Sequence, residues 1–495
     1  MTRSEISLAR VGLAMLAAVS TASAARAQFP GEIVYGPTPA SEESGKRVIS
    51  VTACLDGVGG FVTAGTSRAG TPNSDVYVVR TRLSGHRIWE FTYDVHGAGG
   101  ADTGTSIAEL KDGSGFVVTG STNLGTANAD VLMMKIGCSG AVRWATSFVS
   151  PAVRESGYDV IEARTGTPIL GTFPGDLVVA GYTTNPKNQN ADGLLIRTRS
   201  DGTLIWNRRY DSGGAVEFFR ALTEARATGT PTGDIVTVGD VRLAGAAGLR
   251  ALSFRVNGDS GLFTSGAHCA AARGAAGAST RFESVIELTA SAHAGTLVMV
   301  GSTSTTASSS DLYLVRTAAN PCVGIVQRRA GDPAAGPLGD EAAFDVREVL
   351  KALPIAPVGT LVLTGRAGRP ATTRSEAFLH TARPDSLALL PGTGRLYGDH
   401  GAGFESASAL IPFSNGFVLA GVSGSDFEGV GDKRDVYLVG TDGDGKTGCE
   451  LLWHPPQASA PFRSQRLRPR AVAFLQQVFR PVVRRLQKTE FANCS

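Results

Sequence analysis

The 495-residue chain has an ordinary globular composition, with 42% hydrophobic and 18% charged residues, and its formal net charge is +3. That charge is uneven, because residues 1–27 carry +2 and the stretch from Arg463 onward carries +7, which leaves −6 on the body. A weakly acidic body argues against nucleic acid as a partner. No apolar run reaches the roughly 18 residues that a membrane helix needs.

The first predicted element is a secretory signal peptide over residues 1–27. Arg3 and Arg10 precede the apolar stretch VGLAMLAAVSTASAA, and the small-residue sequence ARA follows at residues 25–27. This order of basic, apolar and small residues is that of a cleaved leader, and an ordinary first helix has no need of it. We expect a mature protein that begins at Gln28 and is either secreted or periplasmic.

One glycine-containing apolar pattern then recurs along the chain. Each copy has Val at a fixed offset and Gly three residues later, and a spacing of about 60 residues belongs to repeat architectures. The copies are GGFVTAGTS (59–67), SGFVVTGST (114–122), GDLVVAGYT (175–183), GDIVTVGDV (233–241), GTLVMVGST (295–303), GTLVLTGRA (359–367) and NGFVLAGVS (415–423).

A second run follows each glycine after about ten residues, and it has the β-branched and aromatic residues of a strand. The runs are DVYVVR, DVLMMK, DGLLIR, RALSFR, DLYLVR, EAFLHT and DVYLVG, beginning at residues 75, 130, 192, 250, 311, 376 and 435. A hairpin signal such as LSG, CSG or SDG usually comes next. The strand after it carries Trp89, Trp144 and Trp206 in the first three repeats.

Each repeat therefore predicts four antiparallel strands, which cannot bury both faces alone. Seven such sheets arranged radially can, so we predict an all-β fold: one seven-bladed β-propeller over residues 28–455. A stacked solenoid is the competitor, but its repeats are usually shorter. The tryptophans would fill the wedge between blades, and the glycines would let backbones approach. Either EIVYGPT (32–38) or CELLWHP (449–455) completes the last blade.

The stretches DVYVVRTRLSGHRIW, DVLMMKIGCSGAVRW and DGLLIRTRSDGTLIW resemble the blade repeat of quinoprotein-like propellers. The resemblance covers residues 45–455 as architecture, with the full motif in the first three blades only. In enzymes of that family, pyrroloquinoline quinone and calcium are held at the centre, but no matching motif occurs here and no catalytic residue is carried over. Secreted bacterial repeat propellers of unknown role are closer in style.

Acidic residues open most of the second runs, and they have two interpretations. They could form a ring of carboxylates around a cation, or each could accept hydrogen bonds from its own loop. Their recurrence in nearly every blade at wide intervals favours the structural role, as does Arg250 in the fourth repeat. The residues are Asp75, Asp130, Asp192, Asp311, Glu376 and Asp435.

The sequence offers no catalytic or metal-binding constellation. TDGDGKTG (441–448) resembles the start of a calcium loop, but Trp453 occupies the twelfth position, where Glu is expected. We therefore interpret it as a hairpin turn. The histidines show no paired spacing, no G-x-S-x-G elbow occurs, and GAGGADTG (97–104) lacks the ending of a phosphate loop. No cofactor is predicted.

Export permits disulfides among the six cysteines, whose spacing matches no zinc motif. Unpaired, singly paired and fully paired cysteines all remain open, and so does their connectivity. They are Cys54, Cys138, Cys269, Cys322, Cys449 and Cys494.

The basic tail, residues 456–495, differs in kind from the repeats. Over residues 471–487 an apolar face predicts a short helix, bent near Pro481, that lies against the propeller. A weak contact with an anionic membrane is the alternative. The apolar face consists of Leu475, Val478, Phe479, Val482 and Leu486.

Function is predicted from the loops between second and third strands and between blades, which emerge on one face. Their small polar residues suit a non-catalytic binding or scaffold protein, a monomer with a protein or glycan ligand. The alternative is a quinoprotein-like oxidoreductase, or another enzyme that uses the central pocket. The loops are NPKNQNAD (185–192), STTASSSD (304–311), DFEGVGDKRD (426–435) and DVHGAGGADTG (94–104).

Overall fold

The chain folds into a ring of seven antiparallel sheets, as the repeat predicts. Within the described residues no helix is long and apolar enough to cross a membrane. The predicted signal peptide lies outside the residues that the computed structural model describes, which are 31–35, 42–68, 71–95, 100–124, 129–150, 153–184, 190–211, 216–227, 230–264, 268–275, 277–306, 309–330, 341–368, 375–398, 404–413, 415–424, 435–447, 451–453, 457–458 and 482–485.

The strands follow the repeat in chain order. After β1 (Gly31–Tyr35), blades one to seven comprise β2 (Glu43–Val51), β3 (Gly60–Ser67), β4 (Asp75–Arg82), β5 (Arg87–Tyr93); β6 (Ala101–Glu109), β7 (Phe116–Leu124), β8 (Asp130–Ile136), β9 (Val142–Val149); β10 (Glu155–Glu162), β11 (Leu177–Thr184), β12 (Ala191–Thr198), β13 (Leu204–Tyr210); β14 (Val216–Ala227), β15 (Thr230–Arg242), β16 (Arg250–Val256), β17 (Cys269–Arg273); β18 (Ser279–Glu287), β19 (Leu297–Thr306), β20 (Ser309–Thr317), β21 (Gly324–Ala330); β22 (Ala342–Glu348), β23 (Leu361–Gly368), β24 (Ser375–Ala382), β25 (Gly394–Tyr397); and β26 (Glu405–Phe413), β27 (Gly416–Ser423), β28 (Asp435–Gly440).

The first strands of neighbouring blades contact one another all the way round, so they line a central channel. Connections between second and third strands, and between blades, emerge at one end, which we call the loop face. Connections between first and second and between third and fourth strands emerge at the other end, the turn face. A short 3-10 helix, Pro168–Leu170, lies in a turn-face connection of blade three.

The amino-terminal strand closes the ring. β1 pairs antiparallel with β28, and Gly31 lies opposite Gly440, so EIVYGPT supplies the fourth strand of blade seven. CELLWHP does not do so. Its described part, β29 (Leu451–Trp453), pairs instead with β25 as a fifth strand of blade six. An outer edge already filled by β1 leaves no place for a second closing strand.

The core lies between blades. Each of the seven buried apolar clusters combines residues from two neighbouring blades, and the set runs round the ring without a gap. In the cluster between blades one and two, for example, Val62 and Val76 pack with Phe116 and Leu132. Each sheet therefore buries both faces against its neighbours, which an isolated four-stranded sheet cannot do.

A β-bulge explains the recurring glycine. In every blade the first strand carries one extra residue opposite the second strand, at the same register. The bulge presses a carbonyl onto the recurring glycine: a Cβ on Gly120 would lie 1.8 Å from the Thr103 oxygen. The backbones do approach, as predicted, but this closest contact lies within a blade. Between blades, Gly104 likewise approaches the Gly65 carbonyl.

The three tryptophans lie where the repeat places them, on the fourth strands at the contact with the next blade. Trp89 Nε1 donates to the Cys138 carbonyl at 2.9 Å, and Trp144 Nε1 donates to the Ser200 carbonyl at 3.3 Å. Both carbonyls belong to third-to-fourth-strand turns of the following blade. Gly202 in one of these turns packs directly on the Trp144 ring. A large ring at this position thus connects blades.

The predicted helix over 471–487 is wrong at the four residues that the structure describes there. These residues form a strand, β31 (Val482–Arg485), paired with β9 on blade two. Two adjacent β-branched valines after a proline favour a strand over a helix, and β9 offers an open sheet edge. Another short tail strand, β30 (Gln457–Ala458), pairs with β21.

Candidate functional site: the central channel

The bulged residues of the seven first strands form a ring in the channel, near the loop face. Each bulge interrupts the alternation of side chains between the two faces of its strand. All seven bulged side chains are half-buried or exposed. Unlike the recurring glycines, these equivalent positions carry seven different residues, which are Lys46, Thr105, Tyr158, Arg220, Glu283, Phe344 and Ser408.

Next to this ring, two buried aspartates each join three blades. Asp159 accepts hydrogen bonds from Ser106 Oγ at 2.7 Å and from the Leu222 amide at 3.1 Å. Asp345 repeats the arrangement on the other side of the channel, with Ser284 Oγ at 2.8 Å and the Leu410 amide at 2.9 Å. Blades two to four and blades five to seven are therefore joined in the same way.

Two arginines neutralise these aspartates. Arg347 lies 3.0 Å from Asp345, and Arg47 reaches across the channel to within 4.0 Å of the same side chain. Burial alone lowers the pKa of Arg47, but the negative charges of Asp159 and Asp345 outweigh it and raise that pKa. Both carboxylates thus accept hydrogen bonds from neighbouring blades, which suits a structural role better than proton transfer.

The predicted ring of acidic residues does not converge on one point. These residues open the third strands, away from the channel, and three of them, Asp75, Asp192 and Asp311, form ion pairs with arginines. Asp75 pairs with Arg68, and Asp311 pairs with Arg329. A structural role is therefore what the described contacts show, through ion pairs that the sequence interpretation did not name.

One acidic residue of this set has carboxylate neighbours. Oxygens of Asp192, Asp211 and Glu217 all lie within 4.8 Å of one another, between blades three and four. Burial, reinforced by the charge of Asp211, raises the pKa of Asp192 to about 7. Arg209, 3.2 Å from Asp192, already supplies a positive charge. The cluster has oxygen ligands of the kind that a cation takes, and Arg209 offsets one of its three carboxylates.

The turn face contains two repeated clamps that the sequence interpretation missed. In the first, a glutamate near the end of a first strand accepts backbone N–H groups from the preceding blade; Thr52 and Ala53 both donate to Glu109 at 2.8 Å. The only available signal was a recurring Glu in IAEL, VIEA, LTEA, VIEL and VREV. The glutamates are Glu109, Glu162, Glu224, Glu287 and Glu348.

In the second clamp, an arginine at the end of the third strand spans two blades. Arg197 is fully buried; its guanidinium donates to Asp176 at 3.0 Å and to the Gly258 carbonyl of the next blade at 2.9 Å. In the sequence, this clamp was visible as the arginine that ends the runs DVYVVR, DGLLIR, RALSFR and DLYLVR. The arginines are Arg80, Arg197, Arg255 and Arg316.

Cavities open where a clamp residue is replaced. Blade two has Lys135 in place of the arginine, and a groove of about 660 Å³ lies beside it, lined also by Trp144 and Asp201. Blade seven has Pro412 in place of the glutamate, and a cavity of about 250 Å³ lies there. Both cavities therefore lie where the residue of one blade departs from the repeat.

Two disulfides reinforce the same face. Cys54 is bonded to Cys138, which joins blades one and two, and Cys269 is bonded to Cys322, which joins blades four and five. Their connectivity was open from the sequence. Cys449 and Cys494 lie outside the described residues.

The described part of TDGDGKTG is a turn, as predicted. Asp442 Oδ1 accepts the amides of Asp444 and Lys446 at 2.9 and 2.8 Å. The loop STTASSSD is shorter than expected, because residues 304–306 and 309–311 belong to β19 and β20. Much of the other three loops, including 96–99, 185–189 and 425–434, lies outside the described residues.

Comparison with known proteins finds structural neighbours of low sequence identity. No protein family and no curated protein matches the chain. Similar solved structures include an α-L-arabinofuranosidase from Fusarium graminearum, at 10% identity, TM-score 0.37, covering 68% of this chain and 92% of that one. The Dos1 propeller is 8% identical, with TM-score 0.42 and coverages of 83% and 94%. A quinohemoprotein alcohol dehydrogenase from Comamonas testosteroni is 9% identical, with TM-score 0.39 and coverages of 75% and 65%.

Proposed function

We propose that the protein is an exported, non-catalytic binding or scaffold protein whose ligand binds at the loop-face end of the channel. The observation that carries this is the contrast between equivalent positions. A residue that the fold requires recurs from blade to blade, as the glycines and both clamps do. The ring of bulged residues does not recur, so the fold does not dictate it, and a rigid scaffold presents it for recognition.

Binding at this end is tested with paired surface variants. The purified mature protein is screened by thermal shift against peptide and oligosaccharide libraries. Hits should weaken in the double variant Lys46→Glu/Arg281→Glu at the channel, since both side chains are exposed there. They should persist in Leu55→Ser/Ile169→Ser, whose side chains are 82% and 92% exposed on the turn face. The opposite pattern would overturn the proposal.

Export is supported by the two inter-blade disulfides, since such bonds persist in oxidising compartments. Together with the predicted leader, they support our proposal that the mature protein lies outside the cytoplasm. Terminal sequencing of the exported protein should find Gln28 first, and peptide mapping without reductant should recover the Cys54–Cys138 and Cys269–Cys322 pairs. Retention of Met1 would contradict export.

The non-catalytic part is supported by the saturated carboxylates of the channel, Asp159 and Asp345, whose oxygens are held by hydroxyl, amide and guanidinium groups. The test is to add pyrroloquinoline quinone and calcium to the purified protein and to follow cofactor absorbance and dye-linked alcohol oxidation. Stoichiometric cofactor with turnover would replace this proposal by the oxidoreductase alternative.

We also propose that the ring acts as a monomer, with the tail against its side. The ring is closed within one chain, because β1 pairs with β28 of the last blade. In the tail, β31 pairs with β9 of blade two. Light scattering should give the mass of one mature chain. Deletion of residues 463–495 should lower thermal stability. If it instead leaves stability unchanged and abolishes binding to anionic vesicles, the tail is a membrane contact.

A further inference from the structure

The tyrosines divide into two groups by what their hydroxyls do. The chain has nine tyrosines, and seven of them donate their hydroxyl to a protein acceptor. Among the described residues the other two, Tyr158 and Tyr182, have no such acceptor. The seven are Tyr35, Tyr77, Tyr93, Tyr210, Tyr313, Tyr397 and Tyr437.

The two remaining tyrosines are neighbours. Their ring centroids are 5.7 Å apart, and Phe218 of the next blade lies 5.1 Å from Tyr182 in an edge-to-face contact. All three rings are half-buried. Tyr158 belongs to the ring of bulged residues, so this aromatic patch forms the wall of the channel between blades three and four.

Charged groups complete the patch and largely compensate one another. The Arg220 guanidinium lies 5.7 Å from the ring centroids of both Tyr158 and Phe218. It pairs with the buried Asp240 and lies 3.8 Å from Glu283, which is 3.9 Å from Arg281. Lys46, exposed across the channel, adds one ammonium that water screens.

We infer that this patch binds a neutral carbohydrate. A half-buried phenol usually finds a hydrogen-bond partner, and two hydroxyls without a protein acceptor, beside a guanidinium and a carboxylate, offer donors and acceptors to a ligand rich in hydroxyls. The rings contact the C–H groups of such a ligand at little entropic cost. The guanidinium nearest the rings, Arg220, is already held by Asp240 and Glu283, which favours a ligand without charge. The inference rests on the proposed function and names its ligand class.

The experiment begins with the purified mature protein on a glycan array that spans neutral and acidic oligosaccharides. The strongest neutral binder is then titrated calorimetrically against three variants. Tyr158→Phe and Tyr182→Phe keep the rings and remove one hydroxyl each, so each should weaken binding about fivefold. Tyr93→Phe is the matched control: its hydroxyl donates to Gly140 at 2.8 Å, so it should lose a few degrees of Tm and keep full affinity.

The outcomes separate the inference from the proposal beneath it. No neutral sugar on the array, or affinity unaffected by both patch variants, would overturn the carbohydrate site and leave binding of another ligand class at the channel intact. Binding confined to acidic sugars would overturn it as well. A sugar that is bound through the patch and also hydrolysed would support the site and overturn the non-catalytic function.

Discussion

At the two clamps of the turn face, equivalent positions carry the same residue in most blades, whereas at the bulge in the channel they carry a different residue in every blade. The difference follows from what each position contacts. A clamp such as Arg197 contacts the next blade, and that contact is the same all round the ring. A bulged residue faces the channel, where the fold imposes no fixed partner. Repetition within one chain thus separates residues that build the scaffold from residues that are available for binding.

The largest expected loss of stability comes from replacing the glycine that lies against the bulge. In Gly120→Ala the new Cβ would lie 1.8 Å from the Thr103 carbonyl oxygen, so the inner strand must move. We expect a loss of about 4 kcal/mol or more, measured by urea unfolding. Gly59→Ala is the control, since its Cβ would meet nothing closer than 3.7 Å. Equal stability of the two variants would disprove this account of the recurring glycine.

A smaller loss is expected from a single turn-face clamp. Arg197→Met leaves Asp176 buried, and among the described residues its remaining cation is the half-exposed Arg199, at 3.7 Å. Removing one partner of a buried pair costs about 3–5 kcal/mol. Arg281→Met in the channel, 41% exposed, should stay within about 0.5 kcal/mol. Similar losses for both arginines would erase the distinction between the two regions.

At the loop-face end of β10, the buried carboxyl of Glu155 makes stability depend on pH. Burial, aided by the charge of Asp130, raises the pKa of Glu155 from 4.5 to about 7. Folding therefore favours its protonated form: this contribution is fully present below pH 4.5 and is lost as pH rises to about 7. Urea unfolding at pH 5 and 7.5 should show a decline in the free energy of unfolding that Glu155→Gln reduces by about 1–2 kcal/mol. An unchanged decline would contradict the assignment.

The smallest effects should come from the channel ring itself. Lys46→Ala and Ser408→Ala remove side chains at bulge positions, where substitutions should change stability by no more than about 0.5 kcal/mol. Differential scanning calorimetry at one pH suffices to compare them with the parent protein. A loss above 1 kcal/mol from either would show that the fold does constrain the ring.

The sequence predicted the blades because period and strand pattern are local properties. The glycine pattern, the second runs and the Trp positions each correspond to a strand that the structure contains. Ring closure by residues 31–35 was one of two predicted options. The prediction of a helical tail is wrong at residues 482–485. These residues pair with β9 as a strand, although the apolar periodicity of the tail is that of a helix.

The site could not be predicted, because an extra residue in a strand reverses which side chains face the channel. Nothing in the sequence marks Tyr158 as bulged. Tyr182 and Phe218 come from different blades, so their contact depends on how the blades pack. The clamps left a visible trace, a recurring Glu and a recurring Arg, but their partners lie one blade away.

The closing strand has a consequence for biogenesis. β1 is the first part of the propeller to be synthesised, and its partner β28 is nearly the last, so a growing chain holds an unpaired strand until blade seven is made. Contacts of such long sequence separation form late. The ring therefore stays open, with one edge of the last blade unpaired, until β1 and β28 have met. Amide exchange in Ile33 and Val34 would report when the circle is finished.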